Sequence, residues 1–540
     1  MKMKKDSLKY IQEWENVKVK LPQFSHKEMC DNTKQNPVWV HFGAGNIFRG
    51  FIAGLQQDLL NNGLSKSGIT AVDSFDFDII DKIFSPFDNL TMNVTLNSDG
   101  SMEREIIGSI GESLKADITD EIQFNRLKEI FVNPSLQMVS FTITEKGYAI
   151  NLPDGNFLPI ILKDMEKGPN ESYHVMSIVT ALLYNRFNNG ANKIAMVSMD
   201  NCSHNGEKLK NAITTIANAW LKKGFVSKEF INYLNDETSV SFPWSMIDKI
   251  TPRPAEMVEK SLTNDGIVGM APIITSKNTY IAPFVNAEKS QYLVVEDNFP
   301  NGRPMLEKAG VYFTNRDTVN NTEKMKVTTC LNPLHTAMSV YGCLLGYTLI
   351  CDEMKDEDLV KLVKILGYKE GLPVVVDPKI ISPKEFIDEV VNDRLPNPFM
   401  PDDPRRIATD TSQKVGIRFG ETIKSYISKE LPLTDLTAVP LALAGWLRYL
   451  LGVNDNFEEM EVSSDPLKEE LQSKLSAIIV GDINSYNGQL KEILSNSNIF
   501  GVDLVKIGLS DKIEEYFIKL ISKKGAVREL LHKETSKYSM

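Results

Sequence analysis

The pattern of hydrophobic and polar positions changes about halfway along the chain. In the first half, short apolar runs rich in β-branched residues alternate with stretches of helical period, such as 52–62 and 175–188. The apolar runs predict strands at 38–42, 69–74, 138–144 and 194–198. Because strands that alternate with helices form parallel sheets, this half is expected to be an α/β domain with a doubly wound sheet.

From about residue 313, long amphipathic stretches replace that alternation. They predict helices at 335–351, 356–366, 384–391, 413–428, 436–451, 466–479, 487–495 and 510–522. We therefore expect two domains, 1–312 with the parallel sheet and 313–540 mostly α-helical. One stretch, 327–351, carries no formal charge and is long enough to span a bilayer. Its proline, histidine and glycines favour a buried helix instead.

Composition narrows the class of partner. Of the 540 residues, 42% are hydrophobic and 24% are charged, as in an ordinary globular protein. The net charge of −11 disfavours nucleic acid or an acidic membrane as a partner. Five cysteines without a CxxC pair argue against a disulfide scaffold and favour a reducing, cytoplasmic location. The basic start of the chain lacks the apolar run of a signal peptide.

A glycine turn follows the first predicted strand, in VWVHFGAGNIFRGF at 38–51. A strand that runs through Gly-x-Gly into a helix is typical of dinucleotide binding, since the turn brings a pyrophosphate close to the helix N-terminus. The third glycine of the usual pattern is replaced by Phe48, and Arg49 could contact a phosphate. The predicted cofactor-binding residues of this segment are Gly43, Gly45, Asn46, Ile47, Phe48 and Arg49.

Asp73 ends the second predicted strand. A carboxylate at this place binds both ribose hydroxyls and repels a 2′-phosphate, so it predicts NAD as the cofactor in preference to NADP. Alternatively, Asp73 is a carboxylate that begins a loop within an acidic stretch.

Polar clusters follow three further apolar runs, at 141–148, 198–206 and 242–249. Ligands of open α/β sheets bind beyond the carboxyl ends of the strands, so these clusters are candidates for a site. Turns that cap strands would explain any one of them. From the first cluster we include Lys146 among the cofactor-binding residues.

A lysine, an asparagine and a histidine precede the uncharged stretch, in EKMK at 323–326 and NPLH at 332–335. A partly buried lysine can act as a general base, and an asparagine can donate to an alkoxide or carbonyl oxygen. This makes Lys326, Asn332 and His335 candidates for proton transfer and substrate binding. Equally, Lys326 is a solvated charge at a helix end, and Asn332 caps a helix whose first residue is Pro333.

Taken together, these motifs resemble a known family. The glycine turn, TEKGY, MDN…HNG, EDNFPNGRP at 296–304, EKMK…LNPLHT and RRIATDTSQK at 405–414 are similar to the polyol-specific long-chain dehydrogenases, which comprise mannitol dehydrogenases and hexuronate reductases. The resemblance implies an NAD-dependent, zinc-independent enzyme with a Rossmann-type N-terminal domain, a helical C-terminal domain and an active site to which both contribute.

The resemblance also implies residue roles. Lys326 matches the catalytic acid and base, and Asn201 and Asn332 match the pair that binds the reacting oxygen. The matching substrate contacts are His335, Glu323, Asp248, Arg406 and Lys414. One departure is Lys249, which stands where the family has an arginine after Asp248.

The family members that act on sugar acids are the better match. Length, the KVTTCLNPLHT segment and three cations (Lys249, Arg406 and Lys414) favour interconversion of D-fructuronate and D-mannonate, with tagaturonate reduction or mannitol oxidation as alternatives. A nucleotide-binding sensor without catalysis would not need the lysine, asparagine and histidine. Histidines and cysteines lack metal-ligand spacing, so no metal is predicted. The expected partner is a small sugar acid or polyol, and the protein is expected to be a monomer or a small homo-oligomer.

The spacing between Lys326 and Asn332 is a second departure. The family usually places the asparagine five residues after the lysine, whereas here it is six. One extra residue turns a regular helix by about 100°, which would separate the two side chains. We therefore predict a π-bulge or a break within 327–333, where Pro333 already disrupts the helix, or a restart with Asn332 as N-cap. Lys324 is the alternative base.

Overall fold

A computed structural model describes residues 1–400 and 402–538. The chain divides into two compact units. Unit 1 comprises Met1–Asn97 and Ser101–Asn320, and unit 2 comprises Ser98–Gly100 and Asn321–Met540. The helix Arg316–Met325 runs across the division.

Unit 1 contains the strands. In chain order they are β1 (Val19–Lys20), β2 (Trp39–Phe42), β3 (Ile69–Asp73), β4 (Thr91–Leu96), β5 (Met102–Ile107), β6 (Ile110–Lys115), β7 (Met138–Phe141), β8 (Ile194–Ser198), β9 (Val240–Ser241), β10 (Ser245–Asp248), β11 (Ile273–Ile274), β12 (Tyr280–Ile281), β13 (Phe284–Glu288), β14 (Tyr292–Glu296) and β15 (Tyr312–Thr314). Six of them form one sheet in the order β6-β3-β2-β7-β8-β9, and every neighbouring pair is parallel. The predicted α/β domain with a parallel sheet is confirmed.

Both faces of this sheet are covered, as expected for a parallel sheet. Val40 and Phe42 of β2 belong to one buried cluster, whereas Trp39 belongs to another. Alternate residues of a strand point to opposite faces, so β2 separates two cores. The smaller sheets have the orders β1-β5-β4-β13, β10-β14-β15 and β11-β12.

Helices connect the strands of unit 1. They are α1 (Ile11–Asn16), α2 (His26–Gln35), α3 (Ala53–Asn61), α4 (Phe77–Ile79), α5 (Glu121–Val132), α6 (Thr144–Tyr148), α7 (Pro159–Lys167), α8 (Val175–Asn188), α9 (Asn205–Lys222), α10 (Lys228–Asn235) and α11 (Glu256–Asn264). Segment α8 has the bounds that the sequence predicted. The predicted helix 52–62 corresponds to α3, which a π-helical turn at Phe48–Ile52 precedes.

Unit 2 is helical, and no strand occurs among the residues described there. After α12 (Arg316–Met325) come α13 (Asn332–Leu345), α14 (Ile350–Glu353), α15 (Glu357–Lys364), α16 (Pro383–Glu389), α17 (Pro404–Ile407), α18 (Glu421–Ser428), α19 (Ala438–Tyr449), α20 (Lys468–Leu475), α21 (Leu490–Leu494), α22 (Ser497–Phe500), α23 (Ser510–Leu520) and α24 (Ala526–Thr535). The predicted helical texture is confirmed, although the predicted helix 413–428 begins with a π-helical turn at Gly416–Gly420.

The uncharged stretch 327–351 does not form one continuous helix. Its longest part is α13, which ends where Gly346 adopts a φ of +83°. Nowhere in residues 1–400 or 402–538 does a helix combine the length and the apolar character needed to cross a membrane.

Candidate active site

The glycine turn lies at the carboxyl end of β2. Gly43 has a φ of +102°, and a Cβ at this residue would lie 2.1 Å from the carbonyl oxygen of Thr142. Its N–H donates to the carbonyl of Val72 at 2.9 Å. A Cβ at Gly45, by contrast, would meet no heavy atom within 4 Å. The turn is thus tight at Gly43 and open at Gly45, as a backbone cradle for a phosphate requires.

This turn lies where the strand order reverses, between β2 and β7. The strand that follows β2 along the chain is β3 on one side, whereas β7 pairs with β2 on the other side. Open α/β sheets bind their ligands in the crevice at such a point. The partly exposed Asn46 and Ile47 begin the helix there.

Phe48 and Arg49 are both buried beneath the turn. The ring of Phe48 stacks on His41 with centroids 4.3 Å apart. Arg49 has no exposed surface; it donates to the carbonyl of Ala282 at 2.8 Å and to Oδ1 of Asn46 at 2.9 Å. Burial lowers the pKa of Arg49 to about 9. In this arrangement Arg49 holds Asn46 in place, and the predicted phosphate contact would require the guanidinium to become exposed.

Asp73 ends β3 beside the turn and is 6% exposed. Its carboxylate accepts hydrogen bonds from the backbone N–H groups of Ala44 (3.3 Å), Phe75 (2.9 Å) and Asp76 (2.7 Å). Burial nevertheless raises the pKa of Asp73. The carboxylate therefore organises the start of the following loop, which was the alternative interpretation, and its contact with a ribose stays a prediction.

The first polar cluster, 141–148, is held by Asp200 of the second cluster, a residue that the sequence analysis did not single out. Its carboxylate accepts from the N–H groups of Ile143 and Thr144, both at 2.9 Å, and from the hydroxyl of Tyr148 at 2.6 Å. Thr144 has a φ of +62°, which a non-glycine residue rarely adopts. Asp200 fixes this turn, from which Lys146 projects into solvent. A carboxylate inside a polar cluster was the available signal.

Asn201 follows Asp200 and is exposed. Asp248 lies at the end of β10, where it is 8% exposed, opposite Tyr292 of β14. Lys249 donates from Nζ to the carbonyl of Glu288 at 2.6 Å and to Oε1 of Gln291 at 3.1 Å. The lysine that replaces the family arginine is therefore engaged with its own unit, and its suggested role as a cation for a carboxylate has no support from these contacts.

In unit 2, the helix is interrupted between Lys326 and Asn332. Lys326–Cys330 form a π-helical turn, in which the N–H of Leu331 donates to the carbonyl of Lys326 at 3.1 Å. Leu331 has non-helical dihedrals, and α13 starts at Asn332 with Pro333 as its second residue. The predicted bulge and break are confirmed. The restart differs by one position, because Leu331 takes the N-cap place expected for Asn332.

The two candidate lysines differ in burial. Lys326 is 2% exposed. Lys324 is exposed and pairs with Glu421 at 3.7 Å. Lys326 is thus the lysine that is withdrawn from water, and its role as acid and base stays a prediction. Glu323 lies one turn earlier and is partly buried; the side-chain amide of Asn332 makes no hydrogen bond to a described residue.

His335 and Arg406 meet at Asp402. Nε2 of His335 lies 3.1 Å from Oδ2 of Asp402, although the approach is bent. Arg406 donates to Oδ1 of the same carboxylate from Nε at 3.0 Å and from Nη2. Burial would raise the pKa of Asp402, but the proximity of His335 and Arg406 outweighs burial and lowers it. Nothing in the sequence pattern marked Asp402, because its partners come from two helices.

Lys414 lies beside an arginine that the sequence analysis also missed. Nζ of Lys414 donates to the carbonyl of Thr409. Arg418, one helical turn later, donates from Nη1 to Oγ1 of Thr336, the residue after His335. Burial, and then the charge of Arg418, lower the pKa of Lys414. The four-residue spacing between Lys414 and Arg418 was the signal that could have revealed this pair.

A parallel sheet with a glycine turn at its switch point, together with a buried lysine and an amide donor in a helical unit, defines a class: an oxidoreductase built on a Rossmann-type domain. Two family profiles match the chain, the "Mannitol dehydrogenase Rossmann domain" over residues 38–308 and the "Mannitol dehydrogenase C-terminal domain" over residues 318–520. The chain belongs to the mannitol dehydrogenase family, as its motifs had suggested.

Individual relatives agree. The chain is 52% identical over 534 residues to the D-mannonate oxidoreductase of Thermotoga maritima, covering 98% of each protein. Two solved structures share the fold at 26% identity. One is a D-sorbitol dehydrogenase in substrate-free form, with a TM-score of 0.78 over 95% of this chain and 97% of that one. The other is the Pseudomonas fluorescens mannitol 2-dehydrogenase in a ternary complex with NAD and D-mannitol, with a TM-score of 0.69 over 100% of both chains.

Proposed function

We propose that this protein is an NAD-dependent oxidoreductase that interconverts D-fructuronate and D-mannonate. The observation that carries this proposal is the 52% identity to a D-mannonate oxidoreductase, which extends over 98% of both chains. We assign cofactor binding to the predicted domain 1–312 and the chemistry on the substrate to the predicted domain 313–540.

The residues of the glycine turn fit a dinucleotide. The space above Gly45 is open, and Asn46 and Ile47 begin a helix whose N–H groups suit a pyrophosphate. Asp73 supports NAD over NADP, because a carboxylate at that place repels a 2′-phosphate. Lys146 is exposed at the neighbouring turn and is a further candidate contact. NADH, when bound, supplies the hydride that reduces the carbonyl carbon of the substrate.

The chain itself handles the proton. In the reducing direction, the Lys326 ammonium gives a proton to the carbonyl oxygen of D-fructuronate, which becomes the hydroxyl of D-mannonate. In the oxidising direction, the neutral amine of Lys326 takes that proton back. The amides of Asn201 and Asn332 are proposed to donate to the reacting oxygen and to stabilise its developing negative charge. The burial of Lys326 supports its part.

The remaining predicted residues are proposed to position the substrate. His335 and Arg406, held by Asp402, are suited to hydroxyl groups of the sugar chain. Lys414 supplies a positive charge, and Glu323 and Asp248 supply acceptors. In residues 1–400 and 402–538, no three histidine, cysteine, aspartate or glutamate side chains are grouped to hold a metal ion. We propose that Lys326 assists the hydride transfer as acid and base.

An absorbance assay tests the proposal. The purified protein is mixed with NADH and D-fructuronate, D-tagaturonate or D-fructose in turn, and the loss of NADH absorbance is followed. We expect the highest kcat/KM with D-fructuronate, and the same rate after treatment with a strong chelator. Preference for D-fructose would make the protein a mannitol dehydrogenase, and preference for D-tagaturonate would make it a tagaturonate reductase.

A further inference from the structure

Two fully buried arginines of this protein donate to several main-chain carbonyls. Arg186 is 0% exposed and donates to the carbonyls of Asn192 (2.8 Å) and Lys193 (2.7 Å), among others. Arg448 is also 0% exposed and donates to three carbonyls, the closest at 2.6 Å. A guanidinium with five N–H donors needs several acceptors when it leaves water, and these two arginines have them.

Arg418, which is partly exposed, has fewer partners than these two arginines. Its one hydrogen bond runs from Nη1 to the hydroxyl of Thr336, and no carboxylate of a described residue pairs with it. Burial lowers the pKa of Arg418 to about 10. Its Nε and Nη2 groups bond no described residue, yet neither is sealed from surrounding space. These two groups form the edge of a guanidinium that binds a carboxylate through two parallel hydrogen bonds.

A second cation lies close to Arg418. Lys414 precedes it by one helical turn, and the positive charge of Arg418 disfavours the charged form of Lys414. Two like charges that are partly removed from water repel each other, so an anion between them would be strongly favoured. Lys414 interacts at longer range with Asp410 and Asp465, but Arg418 has no such acid.

The pair lies beside the proposed catalytic turn. The π-helical turn Gly416–Gly420, which carries Arg418, packs against the π-helical turn Lys326–Cys330. Thr336, which accepts from Arg418, donates in turn to the carbonyl of Asn332 at 2.9 Å. One hydroxyl thus connects Arg418 to the residue proposed to bind the reacting oxygen.

We propose that the Nε/Nη2 edge of Arg418, assisted by Lys414, binds the carboxylate of the sugar-acid substrate, so that Arg418 determines specificity for acids over neutral polyols. This inference rests on the proposed function. It also revises the role of Arg406, whose guanidinium already pairs with Asp402 and whose side chain is 68% exposed. We therefore assign Arg406 to hydroxyl groups of the substrate. The substrate carboxylate is assigned to Arg418, which forms no ion pair with a described residue.

The test compares Arg418→Met with Arg418→Lys and with the matched control Arg405→Met. Arg405 is 56% exposed and pairs with Asp403, outside the proposed site. KM and kcat are measured for D-mannonate, D-mannitol and NAD⁺ with each full-length protein. For Arg418→Met we expect the KM for D-mannonate to rise on the order of 10–100-fold, because hydrogen bonds between two charged groups are lost. The KM for NAD⁺ stays within twofold of the wild-type value.

Two further readings complete the test. The ratio of kcat/KM for D-mannonate over that for D-mannitol should fall by at least tenfold in Arg418→Met and less in Arg418→Lys, which keeps the charge but loses the two-pronged geometry. Arg405→Met should match the wild type. An unchanged KM for D-mannonate in a folded Arg418 variant, or equal rises for D-mannonate and NAD⁺, would overturn the inference; if Arg418→Met does not fold, Arg418→Lys decides. A wild-type protein inactive on D-mannonate would instead overturn the proposed function.

Discussion

Beside the glycine turn of unit 1, Arg49 and Asp73 are both buried and both bond mainly to groups of the backbone or to an amide. In unit 2, the partly exposed Arg418 and the buried Glu353 have fewer partners among the described residues. Arg418 keeps one bond to a hydroxyl. Neither carboxyl oxygen of Glu353 bonds to a described residue, although its side chain is 0% exposed.

The difference separates polar groups that support the fold from polar groups that a ligand can bind. A buried polar group without a partner costs free energy, so folding normally supplies one. Beside the glycine turn the chain supplies partners to both side chains, apart from Nε of Arg49, and the backbone N–H groups of the turn remain for a ligand. In unit 2 the chain leaves the edge of Arg418 and the amide of Asn332 unbonded by described residues, and a ligand can complete them.

Glu353 also lacks hydrogen-bond partners among the described residues, but as an acid it can take up a proton. It lies against Gly342 of α13, where an added Cβ would approach Oε1 within 1.7 Å. Burial raises the pKa of Glu353 to about 9, and the nearby charges of Asp402, Asp356 and Asp403 act in the same direction. The side chain is therefore neutral at pH 7, and an acid that carries a proton tolerates a site without cations.

The largest expected effect concerns Lys326, the proposed acid and base in unit 2. Lys326→Ala should lower kcat about 10²–10⁴-fold, the usual loss when a positioned acid–base group is removed. The Kd for NADH, measured by fluorescence titration, should change little, because the dinucleotide is assigned to unit 1. Lys324→Ala serves as the control and should keep near-normal turnover. An inactive Lys324→Ala beside an active Lys326→Ala would move the role to Lys324.

Two glycine substitutions test the glycine turn of unit 1. Gly43→Ala combines a left-handed φ with a Cβ 2.1 Å from a carbonyl oxygen, so it should lower the free energy of unfolding by about 3 kcal/mol. Gly45→Ala meets no protein atom and should leave stability nearly unchanged. Its methyl group would nevertheless enter the space assigned to the pyrophosphate and weaken NADH binding roughly tenfold or more. Thermal unfolding and NADH titration of both variants distinguish these effects; tight NADH binding by Gly45→Ala would contradict the cradle.

The acid of unit 2 predicts a pH dependence. Glu353 has an ordinary pKa of 4.5 when unfolded and about 9 when folded, so the folded state holds one more proton between these values. Stability then falls as the pH rises through this window, by about 1 kcal/mol per unit. Glu353→Gln cannot titrate and should become more stable than the wild type as the pH rises from 5 to 8. Urea unfolding at several pH values measures the gap, and a gap that is independent of pH would mean that Glu353 is ionised.

The smallest effect concerns Asp73. The wild type should use NADH with a kcat/KM about tenfold or more above that with NADPH, because the carboxylate opposes a 2′-phosphate. Asp73→Asn keeps an oxygen for the N–H groups of Phe75 and Asp76 but removes the charge. It should therefore reduce the preference for NADH over NADPH. Equal use of both cofactors by the wild type would leave Asp73 with its loop contacts alone.

Local patterns predicted much of the architecture. The alternation of apolar runs located β2, β3, β7 and β8, and the helical period gave α8 its observed bounds. The break after Lys326 was predictable too, because an extra residue and a proline that lacks an N–H disrupt a helix wherever it packs. The burial of Arg49 was not predictable, since its acceptor, the carbonyl of Ala282, is 233 residues away in the sequence.

The sequence by itself determined the parallel sheet, the glycine turn and the interrupted helix at Lys326, because each depends on residues close together along the chain. The tertiary structure decided which charges are compensated. Arg406 and Arg418 look alike in sequence, yet the former pairs with Asp402, while the latter bonds, among the described residues, only to a hydroxyl of α13. Burial and ion pairing depend on segments that folding brings together from distant parts of the chain, so no local pattern of residues contains them.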